Sequence, residues 1–203
     1  MQLDLKGAFD NVYHGALLAT LVNAGIPETF TRWLRHYLQD RSARLCFDGR
    51  EKEVQIQAGV PQGSPLSPIL FLLFLAPLYN ELNTLSHQIT IGFADDTNLL
   101  AFGKTHDHCC ETLEKGWEIM ANWAAIRGMQ FEPLKSELIH FKRRGNCSKT
   151  VALGQPRSTI YHGPAGPPFQ LAPVESARFL GVWLDKRLNF SAHLTAIKAK
   201  MII

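Results

Sequence analysis

Ile89-Thr90-Ile91-Gly92-Phe93-Ala94-Asp95-Asp96-Thr97-Asn98-Leu99-Leu100-Ala101-Phe102 consists of two apolar, β-prone runs on either side of two adjacent acids. The pattern predicts a hairpin whose tight turn carries Asp95 and Asp96 at its tip. Side chains alternate faces along a strand, so neighbouring acids share a face only if the turn re-aims one of them. A site using both would bind something strongly cationic, and a divalent metal ion is the obvious candidate.

Upstream by 91 positions (95 − 4), Leu3-Asp4-Leu5 reads as the end of a buried strand. If that strand neighbours the hairpin, three carboxylates converge. Two bare charges about 4 Å apart repel by about 4 kcal/mol at an effective dielectric near 20. Divalent ions relieve that repulsion. Two metals roughly 3.5–4 Å apart can hold the attacking and leaving oxygens of a phosphoryl displacement, and an oxygen-only ligand set suits Mg²⁺.

The rest of the chain supplies a frame for these acids. Leu17, Leu18, Leu21 and Val22 recur at helical spacing until Gly25 and Pro27 stop the helix. Phe30, Trp33, Leu34, Tyr37 and Leu38 mark a second helix ending near Asp40, with its aromatics expected in the core. Ala43 to Phe47 and Lys52 to Gln57 alternate around Asp48-Gly49, a hairpin-turn dipeptide. A Pro- and Gly-rich loop, Ala58 to Pro68, runs into Ile69-Leu70-Phe71-Leu72-Leu73-Phe74-Leu75, expected to be a helix buried on nearly all sides. It is too short to span a bilayer, which needs about 20 apolar residues. Leu113, Trp117, Met120 and Ala124 place a further helix over Asp107 to Arg127, closed by Gly128. Short strands are expected at Gln130–Phe131, Leu138–Phe141 and around Thr159–Tyr161. A strand or hairpin is expected through Ala177–Leu184, then a helix capped by Ser191.

Composition narrows the classes of protein without choosing among them. With 203 residues and 46% hydrophobic content the chain can bury a real core. Its 21 basic and 18 acidic residues give +3, compatible with nucleic acid as a partner but no argument for it. Cys46, Cys109, Cys110 and Cys147 show no Cys-x-x-Cys spacing, and no secretory signal precedes them. Neither a disulfide nor zinc is expected, and a reduced, intracellular setting is the default.

Three stretches, in this order, resemble the palm motifs of reverse transcriptases: Leu3-Asp4-Leu5-Lys6-Gly7-Ala8-Phe9-Asp10, Gly59-Val60-Pro61-Gln62-Gly63-Ser64-Pro65-Leu66-Ser67-Pro68, and Phe93-Ala94-Asp95-Asp96. The wording is closest to non-LTR (LINE-like) retrotransposons. Gly128-Met129-Gln130-Phe131 through Lys135-Ser136-Glu137 and Phe179-Leu180-Gly181-Val182 resemble the two later palm motifs.

The resemblance implies an α+β polymerase palm: an antiparallel sheet on a split βαβ, ferredoxin-like or RRM-like plan, with helices on one face. Residues 1–184 would be the palm, with a Gly/Pro-rich loop at about 145–173, and 185–203 the start of a thumb or connection helix. It implies that Asp4, Asp95, Asp96 and the backbone carbonyl of Leu5 hold two Mg²⁺ ions, with Mn²⁺ as a substitute. Phe9 would lie under the incoming sugar and exclude ribonucleotides by collision with the 2′-hydroxyl. Gln62 and the Gly63 backbone would contact nucleotide or template. Lys135 would approach the triphosphate and assist the leaving pyrophosphate. Phe179, Leu180 and Gly181 would form a primer grip.

The implied function is two-metal nucleotidyl transfer of dNTPs onto a DNA primer along an RNA template, as the RNA-directed DNA polymerase domain of a retrotransposon. The family's fingers before Asp4 have no counterpart in this stretch and its thumb would be cut short, so the chain by itself is expected to be weakly active or inactive. The parent polyprotein would supply those parts and an endonuclease domain. The other readings are a degenerate, non-catalytic palm that binds RNA or protein, an RNA-dependent RNA polymerase, and a maturase-like retroelement polymerase. By resemblance the expected compartment is the nucleus, with the mitochondrion as the alternative; neither secretion nor a membrane is expected.

Overall fold

The structure, a computed structural model, describes residues 1–142, 147–154 and 168–201. A short strand β1 (Gln2–Leu3) is followed by helices α1 (His14–Asn23) and α2 (Glu28–Leu38), then by strands β2 (Ser42–Phe47) and β3 (Arg50–Gln55). Helix α3 (Leu66–Leu82), strands β4 (Gln88–Phe93) and β5 (Asp96–Ala101) and helix α4 (His106–Arg127) make the centre. After a 3-10 turn at Pro133–Lys135 come β6 (Val151–Leu153), β7 (Phe169–Leu171), β8 (Ser176–Phe179), β9 (Val182–Asp185) and α5 (Ser191–Met201). The described residues thus form a mixed α+β domain of small antiparallel sheets and five α-helices. None of these helices is long and apolar enough to cross a membrane.

Local chemistry explains most element ends. Asp48 and Gly49 both take positive φ (48° and 70°), the two-residue turn whose twist matches a hairpin. Thr105 caps α4 by accepting from the His108 N–H, and Gly128 closes it in the left-handed conformation at φ 70°. In α3 the buried residues Leu70, Phe71, Phe74, Leu75, Leu78 and Leu82 recur every three or four positions.

The central sheet has the order β1-β5-β4, with Gln2 opposite Asn98 and Leu3 opposite Thr97. Leu3, Thr97, Leu99 and Gln88 are buried, and α4 packs on β5 while α3 packs on α4. Two close approaches need small residues. A Cβ at Gly116 of α4 would sit 2.6 Å from the Gln88 side chain and 2.8 Å from Leu99. One at Gly92 would run into Tyr79, whose hydroxyl lies 3.1 Å from Thr97 Oγ1 and so braces the hairpin from α3.

Several sequence expectations are corrected. Ile69 and Leu72 are about half exposed, so α3 is not buried all round: its apolar run is longer than the face its neighbours cover. Trp33 is also half exposed, stacked on Tyr37 at the surface rather than sunk in the core. Leu138–Phe141 is not a strand. Pro133 brings a 3-10 turn, and the Leu138 carbonyl pairs with the Val174 N–H instead. Ser191 is the first helical residue of α5, not its cap. The neighbourhood of its start is organised by Asp185, buried, whose carboxylate accepts from the backbone N–H groups of Arg187, Asn189 and Ser191, each at 3.1 Å. The strand expected around Thr159–Tyr161 lies outside the described residues.

Asp185→Ala should strand the Arg187 and Asn189 donors, while Ser191 N–H keeps Asn189 Oδ1 at 3.0 Å. A loss of about 1–3 kcal/mol in thermal or urea denaturation is the expected result, as for other unpaired buried polar groups.

Candidate active site

The acidic hairpin forms, but its turn lies one residue earlier than expected: it carries Asp95, whereas Asp96 is the first residue of β5. Phe93 pairs with Asp96, leaving Ala94 and Asp95 as a two-residue turn, with Ala94 at φ 52°. A left-handed alanine is uncommon, and such local strain is often found at functional sites. The register sets the face each acid takes. Leu3 and Thr97 are paired and buried toward the helices, so Asp4 and Asp96, one position along in opposite directions, point to the other, open face. The turn residue Asp95 completes the group.

Asp96 sits close to both other acids. Burial holds the Asp96 carboxyl above the ordinary value of 3.8, and the charges of Asp95 and Asp4 push it the same way. Asp96 is therefore easier to protonate in the fold than in the unfolded chain. Its penalty is absent below the unfolded value and complete above the folded one, so it weakens the cation-free protein as pH rises through that window. Asp96→Asn should raise Tm in EDTA at pH 7, with the gain fading toward pH 4. Thermal scans at the two pH values measure it.

Lys135 stands at the end of the 3-10 turn, its Nζ 3.4 Å from Asp4 Oδ2. The pair is too exposed to contribute much stability, but it puts one cation beside the acids. The segment carrying Lys135 runs along the free edge of β1. There Lys6 N–H donates to the Gln130 carbonyl and Glu132 N–H to the Asp4 carbonyl, bracketing a Leu5–Phe131 bridge. In such a narrow antiparallel pair the N–H and C=O of Leu5 itself point to the opposite edge, the side of the hairpin tip. The donor set of carboxylate and carbonyl oxygens fits a hard divalent cation.

Phe9 and Gln62 are placed by a second set of contacts. Phe9 is half-buried with its ring 4.8 Å from Phe71 of α3, and its carbonyl accepts from Val60 N–H at 2.9 Å. Gln62 Nε2 donates to Asp10 Oδ1 at 2.8 Å. Gly63, at φ 87°, is exposed beside it. Sequence reasoning left Asp10 out of the site; its place in the first motif was the available signal. His14, also missed, holds the Gly59 carbonyl through Nε2 at 2.8 Å. The loop is thus fastened to the segment that follows Asp4.

Gly59 is the tightest point of that junction, at φ 91° with a would-be Cβ 2.8 Å from the backbone carbonyl oxygen of Asp10. Gly59→Ala should cost more than about 1 kcal/mol of stability and detach Gln62 from Asp10. Chemical denaturation and the Gln62 side-chain amide signals in NMR would read the two effects.

Leu180 and Gly181 form the two-residue turn between β8 and β9, both at positive φ (46° and 87°), with Phe179 paired to Val182. This hairpin packs on α5 through β9, and Lys186 after it accepts from Lys142 N–H. Thus Asp4, Asp95, Asp96 and Lys135 come together, Phe9 and Gln62 are tied through the adjoining loop, and Phe179–Gly181 belong to a separate hairpin.

Acids from two neighbouring strands on the open sheet face of a mixed α+β domain offer the oxygen donors that hard divalent cations prefer. Comparison with known families sharpens that reading. The description "Reverse transcriptase (RNA-dependent DNA polymerase)" matches residues 1–184, and the chain belongs to that family. It is 26% identical over 201 residues to the RNA-directed DNA polymerase from mobile element jockey of Drosophila melanogaster, covering 97% of this chain and 20% of that protein. It is 30% identical over 207 residues to the probable RNA-directed DNA polymerase from transposon BS of the same fly, covering 96% and 21%. The Pol polyprotein from the type-2 retrotransposable element R2DM is 29% identical over 198 residues, covering 94% and 17%. The chain therefore spans about a fifth of the length of the curated relatives it matches. The resemblance to non-LTR retrotransposon enzymes is borne out.

Proposed function

We propose that residues 1–184 are the palm of an RNA-directed DNA polymerase that extends a DNA primer along an RNA template. The observation that carries this reading is the convergence of Asp4, Asp95 and Asp96 on the open face of the sheet. The strand order supports it as well. Segment 130–137, β1, β5 and β4 lie side by side, with α3 in the connection from β1 to β4 and α4 in that from β5 to 130–137. Such an order is compatible with a split βαβ plan.

In this reading Asp4, Asp95, Asp96 and the Leu5 carbonyl hold two Mg²⁺ ions, with Mn²⁺ as a substitute. Bound divalent ions neutralise charge on the attacking 3′-oxygen and the departing pyrophosphate. Phe9, seated on Phe71, presents a fixed ring edge to the sugar. Asp10 orients Gln62, and Gly63 leaves its backbone open to nucleotide or template. Lys135 exchanges its contact with Asp4 for the triphosphate. Phe179, Leu180 and Gly181 support the primer end. Residues 185–203 begin the next, thumb-like unit. The 203-residue chain by itself adds nucleotides weakly, because in phosphoryl transfer most of the rate comes from positioning and the relatives devote about five times this length to their function.

Primer extension on an RNA template with Mg²⁺ or Mn²⁺, alongside Mn²⁺ binding followed by electron paramagnetic resonance, tests the proposal. Weak templated DNA synthesis and Mn²⁺ binding, both lost in Asp95→Ala, are expected. Robust synthesis unaffected by that substitution would overturn the site assignment. RNA affinity that survives both metal removal and loss of the acids, without synthesis, would favour a non-catalytic binding module.

A further inference from the structure

We propose that His106, His140 and Cys147 form a zinc site, separate from the carboxylate cluster, that clamps the start of α4 to the two segments packed beside it. The three residues come from distant points of the chain, 34 and 7 positions apart (140 − 106, 147 − 140). All are partly buried, and one ligand atom from each lies within 4.8 Å of the others. The His106 and His140 rings meet edge to face with centroids 5.2 Å apart.

The donor set chooses the metal. Two imidazoles and a thiolate suit Zn²⁺ rather than the hard cations that carboxylates prefer. Bonds of about 2.0–2.1 Å to nitrogen and 2.3 Å to sulfur place the donors of a tetrahedral site roughly 3.3–3.8 Å apart. Side-chain movements of about 1 Å close the gap from the present separation.

The surroundings already resemble those of a metal ligand. His140 Nε2 donates to the Lys149 carbonyl at 2.8 Å, which leaves the Nδ1 lone pair free and fixes the tautomer that ligation requires. Lys149 in turn pairs with Asp107, next to His106, at 2.6 Å. His140 and Cys147 line a small cavity together with Glu175 and Lys186, which pair with each other at 2.5 Å, so the fourth ligand is left to water. Lys142 and Lys186 line the same cavity, so metal binding depends on neutral imidazoles and a thiolate rather than on net negative charge.

The consequence is structural. His140 follows the edge segment that carries Lys135, and Cys147 precedes β6, which packs on α4. A bound ion would fasten both to the helix beneath the catalytic hairpin. This assignment does not depend on the polymerase reading, because its ligands are not those of the carboxylate site.

The test uses the full 203-residue chain, stripped with a chelator and titrated with Zn²⁺ and with Co²⁺ as a spectroscopic probe. Expected are about one Zn²⁺ per chain, a rise of several degrees in Tm, and Co²⁺ absorption carrying both tetrahedral ligand-field and thiolate-to-metal bands. Cys147→Ser should remove the thiolate band, and His106→Gln and His140→Ala should each weaken binding by about 10–100-fold. Because His140 also holds Lys149, Cys147→Ser and His106→Gln decide the matter if His140→Ala does not fold. Cys46→Ser, on β2, and Asp96→Asn should both keep the thiolate band. A six-coordinate Co²⁺ spectrum without that band, or unchanged affinity in Cys147→Ser and His106→Gln, would overturn the proposal.

Discussion

Asp4→Asn and Asp96→Asn should each lower RNA-templated nucleotide addition by about 10³-fold, and the double variant by no more than the worse single one. The reason is geometric. Antiparallel register brings Asp4 and Asp96 to the same face from neighbouring strands, and burial, then the charges of Asp95 and Asp4, raise the Asp96 carboxyl. Groups that share one cation act as a unit, so losing either removes what both provide. Steady-state extension rates for the four proteins of the cycle, at saturating Mn²⁺, are the measurement. Multiplicative losses in the double variant would mean that the two acids serve different steps. Circular dichroism should be unchanged in the single variants, since both side chains are partly exposed and neither packs in the core.

Phe74→Ala should destabilise the protein by about 3–5 kcal/mol. Phe74 is fully buried, and its ring meets Trp123 of α4 edge-on at 5.2 Å. It therefore stands between α3 and α4, the helices behind the central sheet. Natural domains have only about 5–15 kcal/mol of stability, so this loss would consume much of it. At roughly 2–4 °C per kcal/mol, Tm should fall by about 6–20 °C. Phe47→Ala is the matching control: the same residue type, 86% exposed on β2, should change stability by no more than about 0.5 kcal/mol.

The two results would differ in kind. The acid variants should lose chemistry and keep the fold. The Phe74 variant should lose stability, and activity only to the extent that molecules unfold.

Much of this molecule can be read from short windows of sequence. Asp48-Gly49, Ala94-Asp95 and Leu180-Gly181 are turns because two residues set the backbone twist, whatever lies elsewhere. Thr105 and Gly128 bound α4 for the same local reason. The ordered motifs made the family legible, since residue identity and order survive without coordinates. Burial was read less well. Trp33, Ile69 and Leu72 have the composition of core residues, yet what covers a side chain depends on how neighbouring elements are placed.

Only the tertiary structure decided which distant groups meet. A hairpin tip with two acids can be inferred from the stretch around Asp95, but the pairing that sets Asp4 beside Asp96 is a matter of register across a long separation. One residue of slip would have turned Asp4 inward. Gln62 finds Asp10, and the Leu138 carbonyl goes to Val174 rather than into a strand, because packing fixes their partners. His106, His140 and Cys147 form no motif in sequence, and zinc was not expected from their spacing. They meet because α4 and the segments after it fold against each other. Local backbone preferences wrote the elements into the sequence, whereas the free energy of burying their apolar faces together chose the register and, with it, the neighbours of every functional side chain.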